Sequence, residues 1–223
     1  MRSNPEYNFE RPQDGDDLSP KAQFIYLVGA LASQATEVLR TRCDHPDGRR
    51  ENDSEHSHML SLVASLLAEE YFPELNSGLV AKYANVHDLV EIYVGDTPTY
   101  DISTAGLKSK YEREADGVRQ LALEYSGIAP SLVKLIEQFE EQEDPESRFV
   151  AIVDKLIPVL THFPDEGVSM RRSFKLRSEH ERSVQNRIDR FMKKYPDQEE
   201  LLKIYDELAE FIRDKAWSEV TND

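Results

Sequence analysis

A chain of 223 residues with a formal net charge of −16 can build one sizeable α domain, but it is too acidic to work by neutralising nucleic-acid phosphates or coating anionic membranes. Charged residues make up 31% and hydrophobic residues 39%, the balance of a water-soluble globular domain. A small phosphorylated ligand stays possible, because the local field of a pocket can oppose the global charge.

Residues 1–18 hold no apolar signal core and read as a flexible polar lead-in. The apolar run around Phe24 to Val38 is broken by Ser33, Gln34 and Thr36 and is too short to span a bilayer. Cys43 is the single cysteine, so no intrachain disulfide can form, in keeping with a reducing cytoplasm. Ser19-Pro20 is a helix start, and Phe24, Leu27, Val28, Leu31, Ala35 and Val38 follow helical spacing, predicting a helix over 20–41. The segment 43–53 carries turn chemistry and reads as a loop. Further helices are predicted over 54–71, closed by Pro73, and over 77–94, broken by "GDTPTYD". Others follow over 107–125, ended by Gly127, over 130–143, and from Pro145 to about 163. A charge-rich segment spans 167–194, and a last helix covers 197–217. No run alternates apolar and polar residues as a half-buried strand does, so the fold class is all-α. A core domain over 19–195 with a C-terminal helical extension over 196–223 packed on it is the expected organisation.

Polar residues interrupt several apolar faces. His56 leads a stripe continued by Leu60, Val63 and Leu67. His87 and Glu91, four apart, share the face of the predicted 77–94 helix, with Asp88 about 100° round from His87. Asp154 lies between Val150 and Ile157, and Pro158 withholds an N–H from its carbonyl. Singly, each has an ordinary structural explanation: a cap, a satisfied pair, an acid meeting Lys155. As a set they are two imidazoles and two carboxylates on faces that otherwise look buried, a sensible shell for Mg²⁺ or a divalent transition metal. One cysteine rules out a closed cysteine zinc site.

His56, then His87-Asp88, then a distant Asp154 resembles the His/His-Asp/Asp signature of HD-domain metal-dependent phosphohydrolases. "RRENDSEHS", "HDLVEIYVGDTPT" and "FVAIVDKL" resemble the corresponding stretches of the bacterial 5′-deoxynucleotidase subgroup and its eukaryotic HD-domain relatives, over roughly residues 20 to 195. The resemblance implies an HD-domain helical bundle, a homodimer, and one divalent metal ion (Mn, Co, Mg, Fe or Ni) on His56, His87, Asp88 and Asp154. It places Glu91 at the acid/base position and Asp96 near the sugar and attacking water. For the basic residue that grips phosphate it offers Arg40 and Arg42, with Arg49 as a third; the aromatic neighbour of that arginine is missing, Cys43 standing close by. The implied activity is release of phosphate from (deoxy)nucleoside 5′-monophosphates. Rivals are a deoxynucleoside triphosphate or alarmone hydrolase, which needs a more basic entrance, and a non-catalytic nucleotide-sensing module. Tyr26, Tyr83, Tyr93 and Tyr100 could stack a base, the first two being expected in the core. The locally basic stretch 169–194 reads as a solvated helix in preference to a positive wall over the phosphate.

Overall fold

The first helix begins where capping chemistry places it. In the computed structural model, which describes residues 17–96 and 104–218, the Ser19 hydroxyl accepts from the Ala22 N–H at 3.3 Å and Pro20 opens α1 (Pro20–Gln34). The helix ends seven residues before the predicted boundary. After a tight turn over 35–37, β1 (Leu39–Asp44) pairs antiparallel with β2 (Arg50–Asn52), Leu39 facing Asn52 and Asp44 facing Arg50. This hairpin replaces the expected helix end and loop. Beyond Val38 no apolar stripe continues, so a helix would bury nothing, whereas the extended chain gains a partner: the Thr41 N–H donates to the Asp96 carboxylate.

An Asn52/Glu55 capping box starts α2 (Asp53–Tyr71), with Glu55 N–H to Asn52 Oδ1 at 3.0 Å and Asn52 N–H to Glu55 Oε2 at 3.2 Å. Its buried stripe is His56, Leu60, Ala64 and Ala68; Val63 and Leu67 lie at the edge. Asn76 caps α3 (Ser77–Val86). The predicted single helix over 77–94 is broken. Residues 87–90 form turns closed by short-range bonds, among them Leu89 N–H to Val86 O at 3.1 Å and Glu91 N–H to Asp88 O at 2.9 Å, before the one-turn α4 (Glu91–Val94). Gly95 ends it at φ 71°, a conformation suited to glycine, with its N–H on Glu91 O at 2.6 Å.

The remaining helices are α5 (Thr104–Tyr125), α6 (Pro130–Glu141), α7 (Pro145–Thr161), the one-turn α8 (Met170–Ser173), α9 (Arg177–Lys194) and α10 (Glu199–Ala216). α7 runs on through Pro158 and is buried along most of its length. Phe149, Val150, Val153 and Ile157 pack against Leu60 and Ala64 of α2, Val80 and Tyr83 of α3, and Leu201 and Leu202 of α10. Leu60 is fully buried, so its truncation to Ala costs about 2–5 kcal/mol. A second cluster joins Leu156 and Val159 to Tyr205, Ala209, Ile212 and Trp217. There Arg187 of α9, also buried, donates to the Tyr205 hydroxyl at 2.9 Å. Among the described residues, no helix is long and apolar enough to cross a membrane. Among the described residues the regular elements are helices except for the hairpin, and that hairpin carries Arg40 to the centre.

Candidate metal centre and adjoining cavity

Three buried side chains from α2, the end of α3 and α7 converge on one point. His56 sits in the first turn of α2, His87 follows the last residue of α3, and Asp154 lies in the middle of α7; each is at most 5% exposed. His56 Nε2 is 2.8 Å and His87 Nε2 3.8 Å from Asp154 Oδ1, and the imidazole centroids are 5.3 Å apart. His56, His87 and Asp154 form a set able to hold a metal ion. Asp88 touches this set through His87 Nε2 at 2.9 Å, and with Asp53 and Glu91 it makes a second set of converging ligand atoms. His87 and Glu91 reach the site from either side of the break, not from one helical face as the spacing predicts.

The donor chemistry fits a cation. The His87 Nδ1–H donates to the Ala84 carbonyl at 2.9 Å, which leaves the Nε2 lone pair facing Asp88 and Asp154. Nε2 makes no hydrogen bond although a carboxylate oxygen stands 2.9 Å away, and two ligands at right angles on a small divalent ion stand about 3 Å apart. Both Asp53 oxygens and Glu91 Oε2 are likewise buried without a hydrogen bond. Several carboxylates and an imidazole nitrogen aimed at one space repel one another unless positive charge or protons lie among them.

In this structure Arg40 supplies such charge. Its guanidinium lies 2.6 Å from Asp88, 3.5 Å from Glu51, 3.7 Å from Asp53 and 3.8 Å from Asp154. Burial works against its charge, but Asp88, Asp154, Glu91 and Asp96 raise its pKa well above the ordinary value. Burial likewise works against charged His87, yet Asp88 and Asp154 raise it. Burial would raise Asp154, but Lys155, His56 and His87 hold it well below the usual carboxylate range; His87 and Arg40 do the same for Asp88. The neighbouring acids go the other way. Burial foremost, then Asp88, push Asp53 up to about 8 and Glu91 up to about 10.

Other predicted residues fall differently. Asp96 meets the backbone of β1 beside Arg40. Arg49 points elsewhere: exposed, it binds both Glu55 oxygens at 2.8 Å. The Arg42 side chain, and Tyr100, lie outside the described residues. Tyr83 is core, its hydroxyl on Asp144 at 2.8 Å, and Tyr93 holds Glu124 at 3.0 Å. Tyr26, expected in the core, is 42% exposed, because the buried side of α1 is Leu27, Ala30 and Leu31.

Beside the centre opens a cavity of about 220 Å³, with His87, Asp88 and Asp154 in its lining. Lys110 of α5, Lys155 of α7, and Arg190 and Lys194 of α9 line it too, with Tyr111, Phe139, Phe191 and Tyr195 as its aromatic surface. The 169–194 segment is therefore not merely a solvated helix: its last turns form a wall of the cavity. Glu51, Asp53 and Lys110 also escaped the sequence reading. Glu51 and Asp53 carried a faint signal, lying within five residues of His56.

An all-helical bundle that gathers histidines and aspartates at one point defines the HD class. The HD domain family model matches residues 32–196, and the chain belongs to that family. Among its relatives are proteins named "5′-deoxynucleotidase HDDC2" from Bos taurus and Homo sapiens, each 29% identical over 140 residues, which is 62% of this chain and 64% of theirs. The match thus spans just under two thirds of the length of those relatives. A solved "Predicted metal-dependent phosphohydrolase" from Magnetospirillum magnetotacticum is 27% identical, with a TM-score of 0.65 over 89% of this chain and 96% of its own. A Pyrococcus furiosus protein at 22% identity shares the fold, with a TM-score of 0.54 over 81% of this chain and 96% of its own.

Proposed function

We propose that the chain is a metal-dependent phosphomonoesterase that releases phosphate from (deoxy)nucleoside 5′-monophosphates. The observation that carries this reading is the meeting of His56, His87 and Asp154, from three helices, beside a cavity lined with cations. The names of the relatives and of the Magnetospirillum structure support the same chemistry.

His56, His87, Asp88 and Asp154 would hold one divalent ion. Such an ion polarises a phosphoryl oxygen and makes a water more acidic. The chain's own groups supply the rest. His87 presents Nε2 because Ala84 O takes its other proton. Glu91, buried beside Asp88 and 3.8 Å from Lys110, is placed to exchange a proton, taking it from the attacking water or giving it to the leaving sugar oxygen. Arg40, at the edge of this ligand set, would offer the phosphate a fork that matches two oxygens; Arg42 stands two residues on in the same strand. Asp96 anchors the strand that carries Arg40 and offers a carboxylate to a sugar hydroxyl or a water. The single cysteine favours the cytoplasm, and Phe24, Ile25 and Tyr26, exposed on α1, offer apolar surface for a homodimer.

A phosphate-release panel tests the reading: deoxy and ribo mono-, di- and triphosphates, each with Mn²⁺, Co²⁺, Mg²⁺, Fe²⁺ and Ni²⁺. Release from monophosphates, dependent on added metal, is expected. Activity confined to triphosphates would replace the proposal with a triphosphohydrolase.

A further inference from the structure

Helix α9 brings to the cavity two charges that the metal centre does not use. Arg190 and Lys194, one turn apart, line its wall together with Phe191 and Tyr195, also one turn apart. The two other cations of the lining are already paired: Lys110 holds Glu114 at 2.7 Å, and Lys155 lies against Asp154. Arg190 makes no ion pair or hydrogen bond with any described residue. Lys194 is held by neutral groups, donating to Gln142 Oε1 at 2.7 Å and lying 4.8 Å from the centroid of the Tyr195 ring.

Like charges at this spacing destabilise a helix, and they stand here in a protein of net charge −16. Nothing in the packing of α9 requires them, since its buried residues are His180, Val184 and Arg187, further back along the helix. Arg40, by contrast, is enclosed by four carboxylates and does not line the cavity. Glu140 is a carboxyl in the same lining that could offset α9, and burial pushes it up to about 7, so it is only partly charged at neutral pH. That leaves the α9 side of the cavity receptive to an anion.

We propose that Arg190 and Lys194 form a substrate-gripping wall for the phosphate-bearing end of a nucleotide whose phosphorus faces His87, Asp88 and Asp154, an assignment that rests on the hydrolase reading above. Phe191 and Tyr195 give the sugar an apolar surface between the two cations. At about 220 Å³ the cavity is smaller than the roughly 300–1,000 Å³ of drug-sized pockets, so phosphate and sugar fill it and the base lies at the mouth.

The test uses the full chain loaded with Mn²⁺ and two readouts, turnover of deoxycytidine monophosphate and its calorimetric binding. Arg190→Gln and Lys194→Gln should each raise KM about tenfold with kcat changed less than about threefold, as expected for lost charge-assisted bonds in ground and transition state alike. The double variant should also flatten the fall of kcat/KM with salt. Arg190→Lys, which keeps the charge, and Lys193→Gln, which lies outside the lining, should stay near wild type, and thermal midpoints should not move. If the wild type binds the nucleotide, the double variant loses that binding and neither releases phosphate, the hydrolase reading fails and the subsite stands. Binding by the double variant as tight as wild type, or no nucleotide binding by the wild type, overturns the subsite.

Discussion

His56 Nε2 stands 2.8 Å from Asp154 Oδ1, although 98 residues separate them in the chain. The contact ties the first turn of α2 to the middle of α7, so the same packing that builds the core also sets the ligand geometry. Asp154→Asn keeps the shape and removes the charge. The expected result is loss of the Mn²⁺-dependent rise in thermal midpoint and a fall in phosphate release of at least about 100-fold, with the fold retained. Scanning calorimetry with and without Mn²⁺ reads the first and a phosphate assay the second. An undiminished metal-dependent rise in the Asn variant removes Asp154 from the ligand set.

Glu91 is 3% exposed and faces Asp88, Asp53 and Lys110. In Glu91→Gln the side-chain volume and one hydrogen-bonding oxygen persist, but proton transfer does not. Turnover should fall about 10²–10⁴-fold with KM little changed, while Mn²⁺ still raises the thermal midpoint. Steady-state kinetics beside the calorimetric control separates this from metal loss. Wild-type turnover in the Gln variant takes Glu91 out of the reaction.

Glu51 is fully buried, with Oε2 3.6 Å from His56 Nδ1 and 3.5 Å from Arg40 Nε. A carboxylate behind a ligating imidazole orients the ring and strengthens it as a donor. Glu51 is therefore expected to position both His56 and Arg40 electrostatically. Glu51→Gln should weaken Mn²⁺ binding about 10–100-fold, read by titration calorimetry, without abolishing turnover at saturating metal. Unchanged Mn²⁺ affinity would show that its role is confined to Arg40.

Periodicity made most helices readable before any coordinates, because α2, α6 and α10 bury one face, and α2, α6 and α7 start at Asn, Asp or Pro. His56, His87, Asp88 and Asp154 stood out as polar residues on those faces. What stayed hidden is tertiary in origin. The hairpin at Leu39–Asn52 has no alternating apolar pattern and is held by a carboxylate 55 residues away. The break at 87–90 lies inside an unbroken apolar pattern and goes with tight packing, where Gly117 approaches Val90 so closely that a Cβ would stand 3.0 Å from its carbonyl oxygen. Arg190 and Lys194 look like any solvated pair on a charged helix until α9 is set beside α7. Spacing offers Arg40 and Arg42, with Arg49 as a third, and only coordinates place Arg40 among the buried acids and Arg49 on Glu55.

His180 of α9 is 4% exposed, packed edge-on to Phe174 at 5.0 Å and tilted against Trp217 at 6.2 Å. Burial foremost, then the charges of Arg213, His162 and Arg187, push its pKa down to about 4 from the ordinary 6.5. Between those values the unfolded imidazole carries a proton that the folded one does not. Unfolding therefore takes up a proton, and stability falls as pH drops through this window while nothing is lost above it. The slope approaches 1.4 kcal/mol per pH unit, about 2 kcal/mol by pH 5. His180→Phe keeps an aromatic ring in the cluster and has nothing to titrate. Urea unfolding of both proteins at pH 7.5 and pH 5 should show an acid-induced loss smaller by about 2 kcal/mol in the variant, with His162, also held down by burial, common to both. Equal losses in the two proteins would mean that the folded state protonates His180 as readily as the unfolded chain does.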